Sequence, residues 1–244
     1  MSYQTFAQVY DAIMDDSLYE RWGHFVDQQL NNNGQKLLEL ACGTGALAVT
    51  LKKRGYNVTG LDLSPNMLSL ANERALSAGV RLPLIEGNML DLSEAGEFEA
   101  VTCFSDSICY MPNENAVLDV FKEVSKILSS DGTFLFDVHS TYQMDEIFPG
   151  YMYNDQSEEI SFLWQSYSGE ERYSIEHDLT FFVYDKGINL YERFDETHKE
   201  RTYPLEAYCD MLGKAGFTSI EVYSDFGDSE VKKESVRWFF ACTK

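Results

Sequence analysis

LLELACGTGALA, residues 37–48, decides how this chain is read. Leu37 to Ala41 is a short apolar run of strand length, Gly43 and Gly45 follow within one turn, and Ala46-Leu47-Ala48 opens a helix. Glycines at such a turn let the backbone bend tightly and approach a ligand without Cβ interference. The N–H groups that open the next helix then face whatever lies at the turn. Working outward, KLLELAC (36–42) reads as a strand and GALAVTLKKRG (45–55) as a helix. NVTGLDLS (57–64) is a second strand, and PNMLSLANERALSAG (65–79) a helix with Pro65 at its first position and Gly79 past its end. LPLIEGN (82–88) and FEAVTCFS (98–105) are strands, NAVLDVFKEVSKILSSDG (115–132) a helix, and GTFLFDVHS (132–140) a fifth strand. Strands alternating with helices of this length predict parallel pairing with right-handed crossovers, hence an α/β doubly wound sheet.

The alternation fails between residues 150 and 203. ISFLWQSY, YSIEHDLTFFVYDKG and NLYERFDETHKERTY carry a period of two, with Asp185-Lys186-Gly187 as a hairpin turn. This predicts an antiparallel insertion of three or four strands after the fifth strand, rich in Tyr and Phe. A helix follows over 204–216, then two terminal strands, SIEVYSDF (219–226) and SVRWFFACTK (235–244), which complete a mostly parallel sheet of seven. Two helices precede the sheet, one carrying Phe6, Val9, Tyr10 and Ile13, the other Leu18, Trp22, Phe25 and Val26. The expected organisation is cap helices over 1–34, a sheet domain over 35–149 and 204–244, and the β insertion over 150–203.

Composition bounds the function classes. The chain has 244 residues, 19 Lys+Arg against 40 Asp+Glu, a formal net charge of −21, and 14% aromatics. So aromatic a chain is not a disordered acidic one, and phosphate backbones call for the opposite charge balance, which disfavours nucleic acid as a partner. Cys42, Cys103, Cys109, Cys209 and Cys242 are odd in number and lack CxxC spacing, which predicts reduced thiols, no metal ligand set and a cytoplasmic setting. No apolar run nears the roughly 20 residues of a membrane span, and no leader pattern opens the chain.

Chemistry-bearing residues gather at the carboxyl ends of the predicted strands, where open α/β sheets bind ligands. Glu39 closes the first strand; a carboxylate there is a poor neighbour for a pyrophosphate and a good one for a cation or an amino group. Asp62 ends the second strand, placed to accept hydrogen bonds from the two hydroxyls of a ribose. Asn88 and Met89 follow the third strand, where an adenine edge could be read. Phe104 and Ser105 end the fourth, and His139 the fifth.

Taken together, ELACGTG, GLDLSPNML, GNMLDL and FEAVTCFSDSICYM, with the LEAYCDMLGKAGF helix and its two closing strands, resemble the class I S-adenosylmethionine-dependent methyltransferases. The N-terminal helices and the insertion look like the subgroup that methylates nitrogen on sugars and glycine. The resemblance implies a Rossmann-like methyltransferase fold, with S-adenosylmethionine held by Glu39, Ala41, Gly43, Gly45, Asp62, Leu63, Asn88, Met89 and Phe104. It implies a small-molecule acceptor under the helices and insertion, and it draws Tyr10, Tyr110 and His139 toward catalysis. Tyr110 stands where some sugar N-methyltransferases carry a histidine base, and a phenol with a pKa near ~10 is mostly protonated at neutral pH. Trp22 reads as core; Trp164, Tyr191 and Phe194 are aromatic candidates in the insertion.

Two alternatives stay open on the residues. The Gly43-Thr44-Gly45 turn followed by Asp62 also suits a nicotinamide dinucleotide, although Ala48 stands at the third glycine position and Glu39 would crowd the pyrophosphate. A protein that binds S-adenosylmethionine without turnover carries the same cofactor motif.

Overall fold

The computed structural model describes residues 15–30 and 34–244. Tyr10 and the first expected helix lie outside the described residues. Helix α1 (Asp16–Gln29) begins where the Asp15 carboxylate accepts the Ser17 N–H, and it buries Trp22, Phe25 and Val26. The predicted alternation follows: β1 (Lys36–Leu40), α2 (Ala46–Lys53), β2 (Asn57–Asp62), α3 (Pro65–Ser77), β3 (Leu84–Glu86), β4 (Phe98–Cys103), α4 (Glu114–Ile127) and β5 (Leu128–His139). Ser64 caps α3 by accepting the Met67 N–H at 3.3 Å, with Pro65 at the first position, where its missing N–H costs nothing. Helix α5 (Leu205–Ala215) leads to β10 (Ser219–Ser224), β11 (Ser229–Glu230) and β12 (Arg237–Thr243).

The sheet runs β11-β10-β12-β5-β4-β1-β2-β3. Strands β1 to β5 pair in parallel, and β12 is antiparallel to both β5 and β10. All seven expected strands are present; the loop between the last two adds the two-residue edge strand β11. Alternate strand residues feed opposite faces: Leu37, Val58 and Leu135 pack with α1 and α2, while Leu38, Phe134 and Phe136 pack with α4 and α5. One boundary moves. The helix expected to reach Gly132 stops at Ile127, and Leu128 turns extended, because Ser129-Ser130-Asp131-Gly132 are weak helix formers. Among the described residues, no helix is long and apolar enough to cross a membrane.

The insertion is a separate four-stranded antiparallel sheet, β6 (Met152–Gln156), β7 (Ile160–Ser168), β8 (Ser174–Asp185) and β9 (Leu190–Arg201), in that order. Its hairpin at Asp185 is wider than a two-residue turn: Asp185 pairs with Leu190, its carboxylate accepts the Gly187 N–H at 2.7 Å, and Asn189 adopts φ +57°. Phe162 and Phe181 stack at 4.9 Å in the small core of this sheet, and Met67 of α3 packs against them. The insertion therefore covers the start of α3, beside the carboxyl end of β2.

Candidate active site

A cavity of about 1310 Å³ lies where the insertion meets those strand ends. Ala41, Gly43, Asp62, Leu63 and Met89 line it from the parallel sheet, and Phe162, Trp164, His177 and Glu200 from the insertion. A smaller pocket of about 50 Å³ adjoins it, sharing Trp22, Ala41, Gly43 and Ser105 and adding Glu39 and Phe104. The mostly parallel sheet and the antiparallel insertion thus share one internal space.

The glycine turn divides its labour. Gly43 adopts φ +53°, and a Cβ there would enter open space with no atom within 4 Å. Gly45 faces away: a Cβ would lie 2.8 Å from the Ala71 Cβ and 3.1 Å from its Cα. Gly45 thus lets α2 approach α3 closely, and it is absent from the walls of both pockets. Asp62 holds the turn in place, its Oδ2 accepting the Gly43 N–H and its Oδ1 the Ser64 N–H, both at 2.8 Å. Asn88 is likewise absent from both walls; its Oδ1 accepts the Leu90 N–H at 3.0 Å and shapes the loop that presents Met89. Leu63 is 68% exposed, a large apolar side chain turned into the cavity mouth. Glu39 is 4% exposed, its Oε2 has no partner among the described residues, and burial beside Asp62 lifts its carboxyl well above the usual range.

A second set of polar groups forms part of the wall. Arg237 donates to Asp137 Oδ2 at 3.0 Å and to Asp106 Oδ1 at 2.6 Å; the Asp106 N–H donates to Asp137 Oδ1 and the Trp22 indole N–H to Asp137 Oδ2, each at 2.8 Å. Trp22 is core, as expected, at 2% exposure, and it also lines the cavity. Burial works against ionisation of Asp106, but the Arg237 guanidinium outweighs it and holds the carboxyl below its usual range. For Asp137 burial wins, and its carboxyl is raised. His139 sits beside this network and the Glu200 carboxylate of β9, its imidazole pushed by burial to about 3 and therefore neutral at physiological pH. Tyr110 bonds the His198 ring at 3.0 Å, and Trp164 and Ser166 bond His177 Nδ1 at 3.1 and 2.8 Å. Tyr110 and His139 are thus brought together with Asp106, His177, His198, Glu200 and Arg237, which sequence reasoning missed. Of the insertion aromatics, Trp164 lines the cavity, while Tyr191 and Phe194 do not.

A doubly wound sheet with a glycine turn, an acid at the second strand end and a roofed cavity is the architecture of α/β proteins that bind an adenosine-bearing cofactor. Comparison with known proteins narrows it. Residues 37–132 match the family described as a methyltransferase domain. YqeM of Bacillus subtilis strain 168, itself provisionally named a methyltransferase, is 40% identical across 100% of this chain and 98% of its own length. A crystal structure of an S-adenosylmethionine-dependent methyltransferase from Clostridium acetobutylicum superposes with a TM-score of 0.85 at 29% identity, covering 99% of this chain and 98% of that one. The sugar N-methyltransferase KedS8 from a Streptoalloteichus species shares the fold, with a TM-score of 0.78 at 20% identity over 98% and 92% of the two chains. The chain belongs to the S-adenosylmethionine-dependent methyltransferases.

The donor set fits that cofactor. Glu39 offers a buried carboxylate oxygen without a partner, suited to an ammonium group, in the pocket that adjoins the main cavity. Gly43 leaves its backbone open to approach, with nothing within 4 Å of where a Cβ would stand. Each Asp62 oxygen accepts a single backbone N–H, so lone pairs remain for hydroxyl donors. A dinucleotide pyrophosphate would instead bring anionic charge to the unpartnered Glu39 carboxyl.

Proposed function

We propose that this enzyme transfers the methyl group of S-adenosylmethionine to a nitrogen of a small-molecule acceptor bound between the sheet domain and the β insertion. The single cavity that joins the Gly43–Asp62 end to the aromatic wall of the insertion carries this reading. In it, residues 35–149 and 204–244 hold the cofactor, and residues 150–203 shape the acceptor side. Glu39 and Asp62 receive the cofactor's ammonium and ribose hydroxyls, Ala41 and Gly43 let it approach the backbone, and Leu63, Met89 and Phe104 pack against it. When bound, the cofactor supplies a methyl group on a positively charged sulfur, open to in-line attack. The chain's own part is orientation and exclusion of water. The neutral His139 ring accepts a hydrogen bond from the acceptor without keeping the proton, and Tyr110, bonded to His198, fixes the wall beside it. That chemistry suits an amine arriving unprotonated better than a hydroxyl that needs a strong base. The shared fold of KedS8, named as a sugar N-methyltransferase, supports the same choice.

Incubation with S-adenosylmethionine and a panel of paired amino and hydroxy compounds, read by mass spectrometry, is expected to give S-adenosylhomocysteine with an N-methyl product. Products methylated on oxygen alone would overturn the nitrogen assignment. Asp62→Ala is expected to weaken S-adenosylmethionine binding by about tenfold or more, since it removes charge-assisted hydrogen bonds to the ligand and frees the glycine turn. Calorimetry on the folded variant checks this, and unchanged affinity removes Asp62 from the site. Trp164→Ala is expected to leave cofactor affinity within about twofold while lowering acceptor turnover by about tenfold. Its ring lines the cavity and packs against Phe148, Tyr151 and His177 at 6.3, 5.3 and 5.2 Å. If both quantities fall together, the insertion belongs to the cofactor site.

A further inference from the structure

In the cavity wall, three donors from distant parts of the chain face one another. Asp106 follows β4, His139 ends β5, and Glu200 stands near the end of β9 in the insertion. His139 Nε2 lies 3.4 Å from Asp106 Oδ1 and 3.5 Å from Glu200 Oε2, and one ligand atom from each of the three falls within 4.8 Å of the others. These distances are long for hydrogen bonds, which favour about 2.8–3.0 Å. The two distances from His139 Nε2 are in the range of donors around a shared ion, whose ligand atoms about 2.0–2.2 Å from one centre stand about 3–3.6 Å apart. Glu200 adds an independent sign. It is 5% exposed and lines the cavity, and its Oε2 is buried with no hydrogen-bond partner among the described residues.

The neighbours fit the same picture. The Trp164 indole N–H can only donate, and it points at His177 Nδ1 at 3.1 Å, so that nitrogen is an acceptor. A neutral His177 then carries its proton on Nε2, 3.8 Å from Glu200 Oε1, which makes it a support for the carboxylate and not a ligand. On the other side the Arg237 guanidinium bonds Asp106 Oδ1 and Asp137 Oδ2, and the ion-pair neighbours of Glu200 are the His139 and His177 rings.

We propose that Asp106, His139 and Glu200 form a divalent transition-metal site in the wall of the acceptor cavity. One imidazole with two carboxylates suits Mn²⁺, Fe²⁺ or Zn²⁺ better than a hard ion such as Ca²⁺, and three protein ligands leave positions open to the cavity. An ion there would meet the acceptor's heteroatom in place of the His139 lone pair. The sequence reading of no metal ligand set rested on short motifs, and these donors form none.

The test uses the full chain, freed of metal by chelation, with no acceptor present, so it does not depend on the proposed acceptor chemistry. Mn²⁺ titration followed by electron paramagnetic resonance is expected to show one saturable ion per chain, with pulsed spectra carrying imidazole nitrogen coupling. Glu200→Gln and His139→Gln are each expected to weaken binding by about 100-fold or more, at least the loss seen for outer-shell partners. With a net charge of −21, surface carboxylates can collect Mn²⁺ as well. The nitrogen coupling separates the two, and it decides the matter even if a variant fails to fold. No saturable ion, bound Mn²⁺ without nitrogen coupling, or unchanged affinity in both folded variants would overturn the proposal.

Discussion

Arg237→Met is expected to lower the unfolding free energy by about 3 kcal/mol, the lower end of the cost of breaking a buried ion pair by removing one partner. The lower end applies because 21% of the Arg237 side chain faces the cavity, whereas Asp137 is fully buried and Asp106 is 14% exposed. Arg237 sits on β12 opposite His139 of β5, and its two nitrogens reach Asp137 and Asp106. Without the guanidinium, Asp137 still accepts from Trp22 and from the Asp106 N–H, but two neighbouring carboxyl groups lose their only strong counter-charge among the described residues. Urea unfolding should show the change in midpoint, and the melting temperature should fall by about 6–12 °C for a chain of this size. Arg237→Lys should recover only part of the loss, since a point charge cannot serve both carboxylates as the planar fork does. A change under about 1 kcal/mol in Arg237→Met would mean that water entering from the cavity already solvates these acids.

The parts of this site that are local in sequence were legible there. A strand, a glycine turn and a helix lie within a dozen residues, and the next strand ends on an acid, so Gly43 and Asp62 could be placed from spacing alone. The same reasoning grouped Gly45 and Asn88 with them, because a motif records which residue is required and not which neighbour requires it. Gly45 is required by Ala71, and Asn88 by its own loop. The acidic half of the site was carried by a weaker signal. On β9 the inward face follows Phe194, Glu196, His198 and Glu200 at a period of two, yet the run LYERFDETHKER reads as a charged, solvated strand. On β8 the buried positions Ile175, His177 and Phe181 share a face, which put His177 on an apolar side where a partner was needed. Asp137 within FLFDVH was a further sign, since an acid in a buried strand calls for a base, and the base lay a hundred residues away on β12.

Gly43→Ala and Gly45→Ala, made as a matched pair, are expected to fail in opposite ways. Both glycines hold positive φ, +53° and +73°, so an alanine at either costs about 1 kcal/mol in backbone conformation alone. What differs is the surroundings of the added methyl. At Gly43 it meets nothing within 4 Å, on a residue that lines both pockets. The variant should therefore fold with little loss beyond that 1 kcal/mol, while S-adenosylmethionine binding falls by about 100-fold, near 2.7 kcal/mol, because the backbone can no longer be approached. At Gly45 the methyl would lie 2.8 Å from the Ala71 Cβ and 3.1 Å from its Cα, so α2 and α3 must part. Overpacking of that kind costs about 1–3 kcal/mol more, which should appear as a lower urea midpoint, with any loss of binding tracking the loss of folded protein. Thermal or urea unfolding and calorimetric titration on both variants give four numbers, and the crossed pattern is the result that matters. If Gly43→Ala binds the cofactor normally, the open space beside it is not where the cofactor lies. If Gly45→Ala folds as well as Gly43→Ala, the approach of the two helices is soft enough to absorb a methyl, and the second glycine of the turn is there for its backbone angle alone.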